Sequence, residues 1–240
     1  HNDDMRNPDV EFSNMVKKIT DEMSTLTEGT QEASEDGAND AKAISDKQGA
    51  TPSTTETIPV PKETLDELFA QLDALIGLET VKEEIHKQVE VLRVAKLRSE
   101  HKLKNPEISK HLVFTGNPGT GKTTIARLVA KIYAVLGILE KGHLVETDRA
   151  GLTAGYLGQT EEKTAAVIKQ ALGGVLFIDE AYSLAGDIYA EAAVNTLVKA
   201  VEDHRDDLVL IVAGYTEPME KFIESNPGLE SRLRLIINFP

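Results

Sequence analysis

The sequence predicts an α/β fold in which a five-stranded parallel sheet is covered by helices on both faces. Short, continuous apolar runs alternate along the chain with longer segments that repeat apolar residues at helical spacing. Continuous apolar strands are typical of parallel sheets, because both faces of such a sheet are buried. The strands are expected at residues 111–115, 143–146, 175–179, 208–213 and 235–239.

Two helices are expected before the first strand. Thr64 and Glu67 have the spacing of a capping box, in which each side chain bonds the other residue's backbone N–H. Gly77 is expected to end this helix, and a second helix is expected at 79–99. The later helices are expected at 121–135, 160–172, 189–204 and 217–225.

The first 62 residues differ in composition from the rest of the chain. Residues 1–60 carry 13 acidic and 5 basic side chains, and residues 27–61 are nearly devoid of apolar side chains. Such a stretch buries too little surface to offset its ordering entropy, so 1–62 is expected to be mostly disordered. A short amphipathic helix at about 11–26 is the exception, and it packs on the body, frays or docks a partner. Residues 63–240 are expected to form the folded body.

The composition excludes several classes of protein. Lys and Arg number 26 against 40 Asp and Glu, a net charge of −14, which argues against nucleic acid as a partner because that affinity depends on basic surface. No cysteine is present, and therefore no disulfide or thiolate metal site. The apolar runs are too short to span a bilayer and no secretory signal opens the sequence, so we expect a cytoplasmic protein without a membrane partner.

A glycine-rich loop follows the first predicted strand directly. It fits the pattern G-x-x-x-x-G-K-[ST] with Gly116, Asn117, Pro118, Gly119, Thr120, Gly121, Lys122 and Thr123. Glycines let successive backbone N–H groups turn towards phosphate oxygens, and the next helix presents its positive end to them. Lys122 is expected to reach the β- and γ-phosphates of a nucleotide, and Thr123 to offer its hydroxyl to Mg²⁺.

The third predicted strand ends in two adjacent carboxylates, Asp179 and Glu180. Such a pair is also common where a helix merely begins, so its meaning depends on the phosphate loop in the same sheet. Together with that loop, Asp179 is expected to hold Mg²⁺ through water, and Glu180 to orient and polarise the attacking water.

With these two motifs placed, the chain resembles AAA+ ATPases from about Leu72 to its last residue. More narrowly, it is similar to the CbbX/CfxQ branch, which includes red-type Rubisco activases and stage V sporulation protein K. The similar motifs lie at 117–124, 179–184, 213–215 and 225–232. The resemblance implies a P-loop NTPase core of the AAA+ type, with 63–240 as its large subdomain and Thr124 as part of the phosphate loop.

The resemblance also implies roles outside these motifs. Ile76 and Gly77 match the segment that lies against adenine, although Gly77 is equally a helix-capping glycine. Tyr156 matches the loop that lines the central pore of a hexamer and grips a polypeptide, although a tyrosine between glycines also occurs in a simple turn. Arg232 matches the arginine finger that reaches the γ-phosphate of the neighbouring subunit, with Arg234 as a second candidate.

Two features depart from the family's pattern. Tyr215 occupies the sensor position after the fourth strand, where an asparagine is common. Its hydroxyl is able to bond a water or a phosphate, and a core position is an equal alternative. The sequence stops at Pro240, where the family's helical lid begins, so the lid and its sensor arginine are expected to be absent from this chain.

These residues predict Mg²⁺-dependent ATP hydrolysis by a protein-remodelling motor. The partners implied are further copies of the chain in a hexamer and a protein client that Tyr156 engages. The alternative is a nucleotide-dependent scaffold that binds ATP with negligible turnover, which the intact pair Asp179 and Glu180 argues against. A GTPase is excluded, because the sequence contains no Asn-Lys-x-Asp guanine reader.

Overall fold

A computed structural model describes residues 63–104 and 108–240. Both ranges belong to one compact unit of the chain. The amphipathic helix predicted at about 11–26, and the acidic segment predicted around it, lie outside the described residues.

Strands and helices alternate along the described chain, as the sequence predicts. The strands are β1 (Leu112–Gly116), β2 (Leu144–Thr147), β3 (Val175–Ile178), β4 (Val209–Gly214) and β5 (Leu235–Phe239). The helices are α1 (Leu65–Asp73), α2 (Glu79–Glu100), α3 (Lys122–Val135), α4 (Arg149–Leu152), α5 (Leu157–Ala171), α6 (Ile188–Asp203), α7 (Thr216–Glu224) and α8 (Pro227–Arg232), with a 3₁₀ helix at Ala181–Leu184.

The five strands form one parallel sheet in the order β2-β3-β4-β1-β5, which confirms the predicted fold class. The central strand β1 pairs with β4 on one side and with β5 on the other, so that Val113 lies opposite Val212 and Ile236. Because β3, β4 and β1 are neighbours, the segments that follow them meet at one edge of the sheet. Parallel sheets of this kind bind ligands at that carboxyl edge.

Every residue of the three central strands β1, β3 and β4 is buried, because helices cover both faces of the sheet there. In β1, Leu112 and Phe114 pack into a cluster with α1, α2 and α3, whereas Val113 packs into a second cluster with α5, α6 and α7. Burial on both faces explains why the sequences of these central strands are almost continuously apolar.

The first helix begins as predicted and ends earlier than predicted. The Thr64 hydroxyl accepts from the Glu67 N–H at 3.3 Å, and the Thr64 N–H donates to the Glu67 carboxylate at 2.7 Å. The helix ends at Asp73, and Gly77 lies beyond it with φ +70°, so the prediction that Gly77 ends it was wrong. The ammonium of Lys82, on the next helix, donates to the carbonyls of Asp73 and Leu75, and this satisfies acceptors that the end of α1 exposes.

Other boundaries shift for local reasons. Strands β1, β2 and β4 each begin and end one residue later than predicted, and β3 ends one residue earlier. Helix α5 begins at Leu157, before the predicted start at Thr160. The Thr160 hydroxyl accepts from the N–H of Ala154 at 2.9 Å, so it anchors the segment before the helix instead of capping its first turn.

Three short elements were not predicted: α4, the 3₁₀ helix and α8. Helix α8 carries a recognisable sequence signal, because Asn226 precedes Pro227 and its side chain accepts from the N–H groups of Gly228 and Leu229. A capping residue followed by proline at the first helical position is a known helix start.

Candidate nucleotide site

The loop after β1 has the backbone that its glycines allow. Gly116, Gly119 and Gly121 have φ values of +142°, +75° and +93°, which side chains rarely tolerate. A Cβ at Gly116 would lie 2.2 Å from the carbonyl oxygen of Phe239 on β5, so only glycine fits there. The loop leads directly into α3, whose first residue is Lys122. Its first N–H groups are therefore available to an anion at this edge of the sheet.

The Lys122 ammonium is folded over this loop. It donates to the carbonyl oxygens of Gly116 at 3.1 Å and Asn117 at 2.7 Å, and the residue is only 9% exposed. Burial lowers the pKa of Lys122, and the nearby charge of Asp179 opposes that shift. A buried cation next to a ring of backbone donors favours a multiply charged anion, which would replace the two carbonyls as its partner.

The carboxylates after β3 lie beside the phosphate loop. The Asp179 N–H donates to the carbonyl of Thr147 at 2.9 Å, which continues the pairing of β3 with β2. The Asp179 side chain accepts from the Glu180 N–H at 3.0 Å. Glu180 is exposed and has φ +49°, a left-handed conformation that costs a non-glycine residue about 1–3 kcal/mol and clusters at functional sites.

Tyr215 follows β4 at the same edge of the sheet and is not a core residue. Its side chain is 40% exposed, and its ring centroid lies 6.0 Å from that of Tyr182. Gly214 makes room for this pair, because a Cβ there would lie 2.7 Å from Cδ1 of Tyr182. The structure thus excludes the core alternative for Tyr215 and leaves the sensor role as a proposal.

Tyr182 was not among the residues singled out from the sequence. Burial raises the pKa of its hydroxyl, and the negative charge of Glu180 raises it further. Its position two residues after Glu180 was the only sequence signal that it lies near the site. The 3₁₀ helix that contains Tyr182 and places its ring beside that of Tyr215 was not predicted.

A cavity of about 350 Å³ unites the residues that follow β1, β3 and β4. This volume is within the range of small-molecule sites. The lining residues are Gly116, Pro118, Gly119, Gly121, Lys122, Thr123, Thr124, Asp179, Glu180, Gly214 and Tyr215. The Thr123 hydroxyl and the Asp179 carboxylate therefore line the same cavity, which suits Mg²⁺ because that ion is usually held by few protein oxygens together with substrate phosphates and water.

Two predicted loop residues and the predicted adenine segment are not part of this lining. The two loop residues are Asn117 and Thr120, and the Thr120 hydroxyl donates to the carbonyl of Asn117 at 2.8 Å, a bond within the loop itself. Ile76 is fully exposed, and Gly77 is followed by Leu78, which is also left-handed at φ +65°. Cδ1 of Leu78 lies 3.7 Å from the place of a Cβ on Gly121, so this turn borders the phosphate loop.

The two candidate finger arginines lie at the opposite edge of the sheet. Both come directly before β5, which runs parallel to β1, so they sit at the amino ends of the strands. The Arg232 guanidinium donates to the Glu202 carboxylate at 2.8 Å and to the Gly228 carbonyl at 3.1 Å. Arg234 is exposed, and its Nε donates to the Ser231 carbonyl at 2.8 Å. Neither arginine lines the cavity of its own chain.

Tyr156 is also remote from the cavity. It lies in the turn between α4 and α5, and its side chain is 73% exposed. A Cβ added at Gly155 or Gly158 would meet no atom within 4 Å, so the turn projects into open space.

Among the helices of residues 63–104 and 108–240, none has the length and apolar character needed to cross a membrane.

Comparison with known proteins agrees with this geometry. Residues 112–240 match the ATPase family associated with various cellular activities (AAA). The chain is 45% identical to stage V sporulation protein K of Bacillus subtilis over 179 residues, which are 73% of this chain and 56% of that protein. It is 46% identical over 183 residues to the chloroplastic ribulose bisphosphate carboxylase/oxygenase activase of Cyanidioschyzon merolae, covering 75% of this chain and 61% of the activase.

A third relative, protein CbbX of Cereibacter sphaeroides, is 45% identical over 183 residues, which cover 75% of this chain and 58% of that protein. The chain thus spans a little more than half the length of the curated relatives it matches. The matched family is one of nucleotide-binding ATPases, and its match begins with β1 and includes the whole cavity. The chain belongs to the AAA family of ATPases, within its CbbX/CfxQ-type branch.

Proposed function

We propose that this chain binds ATP with Mg²⁺ in the cavity after β1, β3 and β4 and hydrolyses it to ADP and phosphate. The observation that carries the proposal is the union, in one cavity, of the Lys122 loop with the Asp179 and Glu180 carboxylates, which are more than fifty positions away in the sequence. A site that only binds phosphate does not require the carboxylates of Asp179 and Glu180.

Each lining residue has a distinct task in this proposal. The N–H groups at the start of α3 and the Lys122 ammonium bind the phosphates, and this requires Lys122 to exchange its two carbonyl partners for phosphate oxygens. Thr123 and Asp179 hold Mg²⁺, which neutralises negative charge on the phosphates when it is bound. Glu180 orients the attacking water and accepts its proton as the water oxygen bonds to the γ-phosphorus. The bond from that phosphorus to the β,γ-bridging oxygen breaks, and ADP leaves. Tyr215 contacts this water or the γ-phosphate as the sensor.

The position of Arg232 supports a site that two copies complete. Because Arg232 and the phosphate loop lie at opposite edges of one sheet, this arginine is unable to reach the ATP of its own chain. In a ring of copies it would face the cavity of the neighbour, where it stabilises negative charge in the transition state. We therefore propose a homo-oligomer, a hexamer, with Arg234 as the second candidate for the same task.

The exposed Tyr156 turn supports a protein client. An aromatic side chain that projects between two unhindered glycines offers apolar contact and a hydroxyl to a polypeptide of any sequence. We propose that hydrolysis moves this turn against the client. The names of the relatives point to different processes, sporulation in one and Rubisco activation in another, so the proposal extends to the class of client only.

Replacing Tyr156 with alanine tests the function as a whole. We expect Tyr156→Ala to keep its Mg²⁺-dependent phosphate release within about twofold, because the turn is remote from the cavity, and to lose at least about tenfold in unfolding of an unstructured-tagged reporter protein. Phosphate release and reporter fluorescence are measured in the same samples, with Tyr189→Ala as a control for the loss of a tyrosine elsewhere. Normal reporter unfolding by Tyr156→Ala would contradict the assignment of the turn, and absence of Mg²⁺-dependent phosphate release by the unaltered protein would contradict the ATPase.

A further inference from the structure

Arg149 joins two segments that the sequence keeps far apart. It is the first residue of α4, directly after the Asp148 that follows β2. Its guanidinium donates to the carbonyl of Ser183 at 2.6 Å and to the carboxylate of Asp187. Both partners belong to the segment that leaves the cavity after Glu180.

On the cavity side, these contacts continue to Glu180 itself. The Ser183 N–H donates to the Glu180 carbonyl at 2.8 Å, which forms the turn of the 3₁₀ helix. The Asp187 carboxylate caps α6 by accepting from the N–H groups of Tyr189 at 3.0 Å and Ala190 at 2.9 Å. The bond from Ala190 and the bond from Arg149 lower the pKa of Asp187, so this carboxylate stays ionised at neutral pH.

On the other side, the contacts continue to the Tyr156 turn. The Arg149 carbonyl accepts from the N–H of Thr153 at 2.9 Å and from its hydroxyl at 3.0 Å. The adjacent Ala154 is bonded to Thr160 on α5, whose N–H donates to the carbonyl of Tyr156 at 3.0 Å. The segment from α4 to the start of α5 is therefore one hydrogen-bonded unit, and Arg149 connects it to the segment after Glu180.

We propose that Arg149 is a positioning residue that transmits the nucleotide state of the Glu180 segment to the Tyr156 turn. This inference rests on the proposed function, since it presumes that the turn moves with nucleotide. A guanidinium suits the task because its fixed, planar donors hold a carbonyl and a carboxylate at once, which fixes the orientation of one segment relative to the other. The partners of the Arg149 guanidinium, Ser183 and Asp187, neither line the cavity nor belong to the turn, and the bonds to Thr153 use the Arg149 backbone carbonyl. Replacing the side chain therefore separates the two segments and keeps the bonds within each.

The test uses a fluorescent reporter at the turn. The chain contains no tryptophan, so Tyr156→Trp places a single indole there. Its emission and anisotropy are compared with ADP and with a non-hydrolysable ATP analogue bound. We expect the difference in indole emission and anisotropy between the ADP-bound and analogue-bound proteins to fall at least about fivefold when Arg149→Met is added. The affinity for the analogue and the basal rate of phosphate release should stay within about twofold.

Two further variants guard against misfolding and non-specific effects. Asp187→Asn removes the charge that Arg149 binds and keeps an oxygen that caps α6, so we expect it to reduce the difference in the same way. Arg93→Ala breaks an ion pair within α2 and should leave the difference unchanged.

Two outcomes separate the inference from the function on which it rests. If the indole signal still differed as much between the two nucleotide states in both Arg149→Met and Asp187→Asn, the proposed role of Arg149 would be wrong. The proposed function would not be affected. No difference in the Tyr156→Trp protein itself would count against the moving turn, and the inference would fall with it.

Discussion

We expect Glu180→Gln to bind ATP as tightly as the unaltered protein and to release phosphate about 10²–10⁴ times more slowly, the range that a general base contributes. Glutamine keeps the size and the exposed position of Glu180 but has no basic oxygen to accept the proton of the attacking water. The loop, Lys122 and Thr123 remain intact, so the phosphates keep their partners.

Calorimetry measures the affinity, and a coupled phosphate assay measures the turnover. Glu220→Gln, on the exposed side of α7, is the matched control and should change neither quantity. Turnover by Glu180→Gln at the level of the unaltered protein would show that the base lies elsewhere. If neither the unaltered protein nor the variant released phosphate above the rate of a protein-free sample, the chain would be a nucleotide-dependent scaffold.

Lys122→Ala should weaken ATP binding by about two orders of magnitude, because it removes a buried, charged donor that no neighbouring side chain replaces. It also leaves the carbonyls of Gly116 and Asn117 without the ammonium that now binds them. The affinity loss is therefore expected together with a small loss of thermal stability, and the two are measured separately by calorimetry and by thermal unfolding without nucleotide.

The control for this variant is Lys131→Ala on the same helix. Lys131 forms an ion pair with Glu63 at 2.7 Å, outside the cavity, so its removal tests the effect of losing a lysine from α3. Unchanged ATP affinity in Lys122→Ala would contradict the assignment of the phosphate loop.

The sheet and the phosphate loop were predictable because their signals are local. Continuous apolar strands, the glycine spacing before Lys122 and the capping box at Thr64 each depend on a few consecutive residues. The structure bears out the strands and the capping box, and the loop glycines have the positive φ values that a tight turn requires. The order of the strands was not predicted, since it depends on which helix packs against which face. The meeting of Asp179 with the loop was predicted only because parallel strands end at one edge.

The misses come from contacts between segments that are distant in the sequence. Lys82 reaches back from α2 to the end of α1, which moves the helix end away from Gly77. Arg149 and Asp187 are 38 positions apart, and nothing in the residues around either predicts the bond between them. The short elements α4 and the 3₁₀ helix have four residues each, which is too few to show a helical repeat of apolar residues. The Asp148 carboxylate caps α4 by accepting from the Gly151 N–H at 2.8 Å.

The most direct test of a site completed between copies is to mix two inactive variants. Glu180→Gln lacks the proposed base of its own cavity, and Arg232→Ala lacks the group proposed to reach the neighbour's cavity. When the two are mixed, some interfaces combine an intact Glu180 with an intact Arg232, so we expect phosphate release to return to a measurable fraction of the unmixed, unaltered protein. Glu180→Gln mixed with Lys122→Ala is the control and should stay inactive, because every cavity then carries a defect. Recovery with Arg232→Ala confirms the account; a mixture as inactive as its parts, or an Arg232→Ala protein that is active alone, contradicts it.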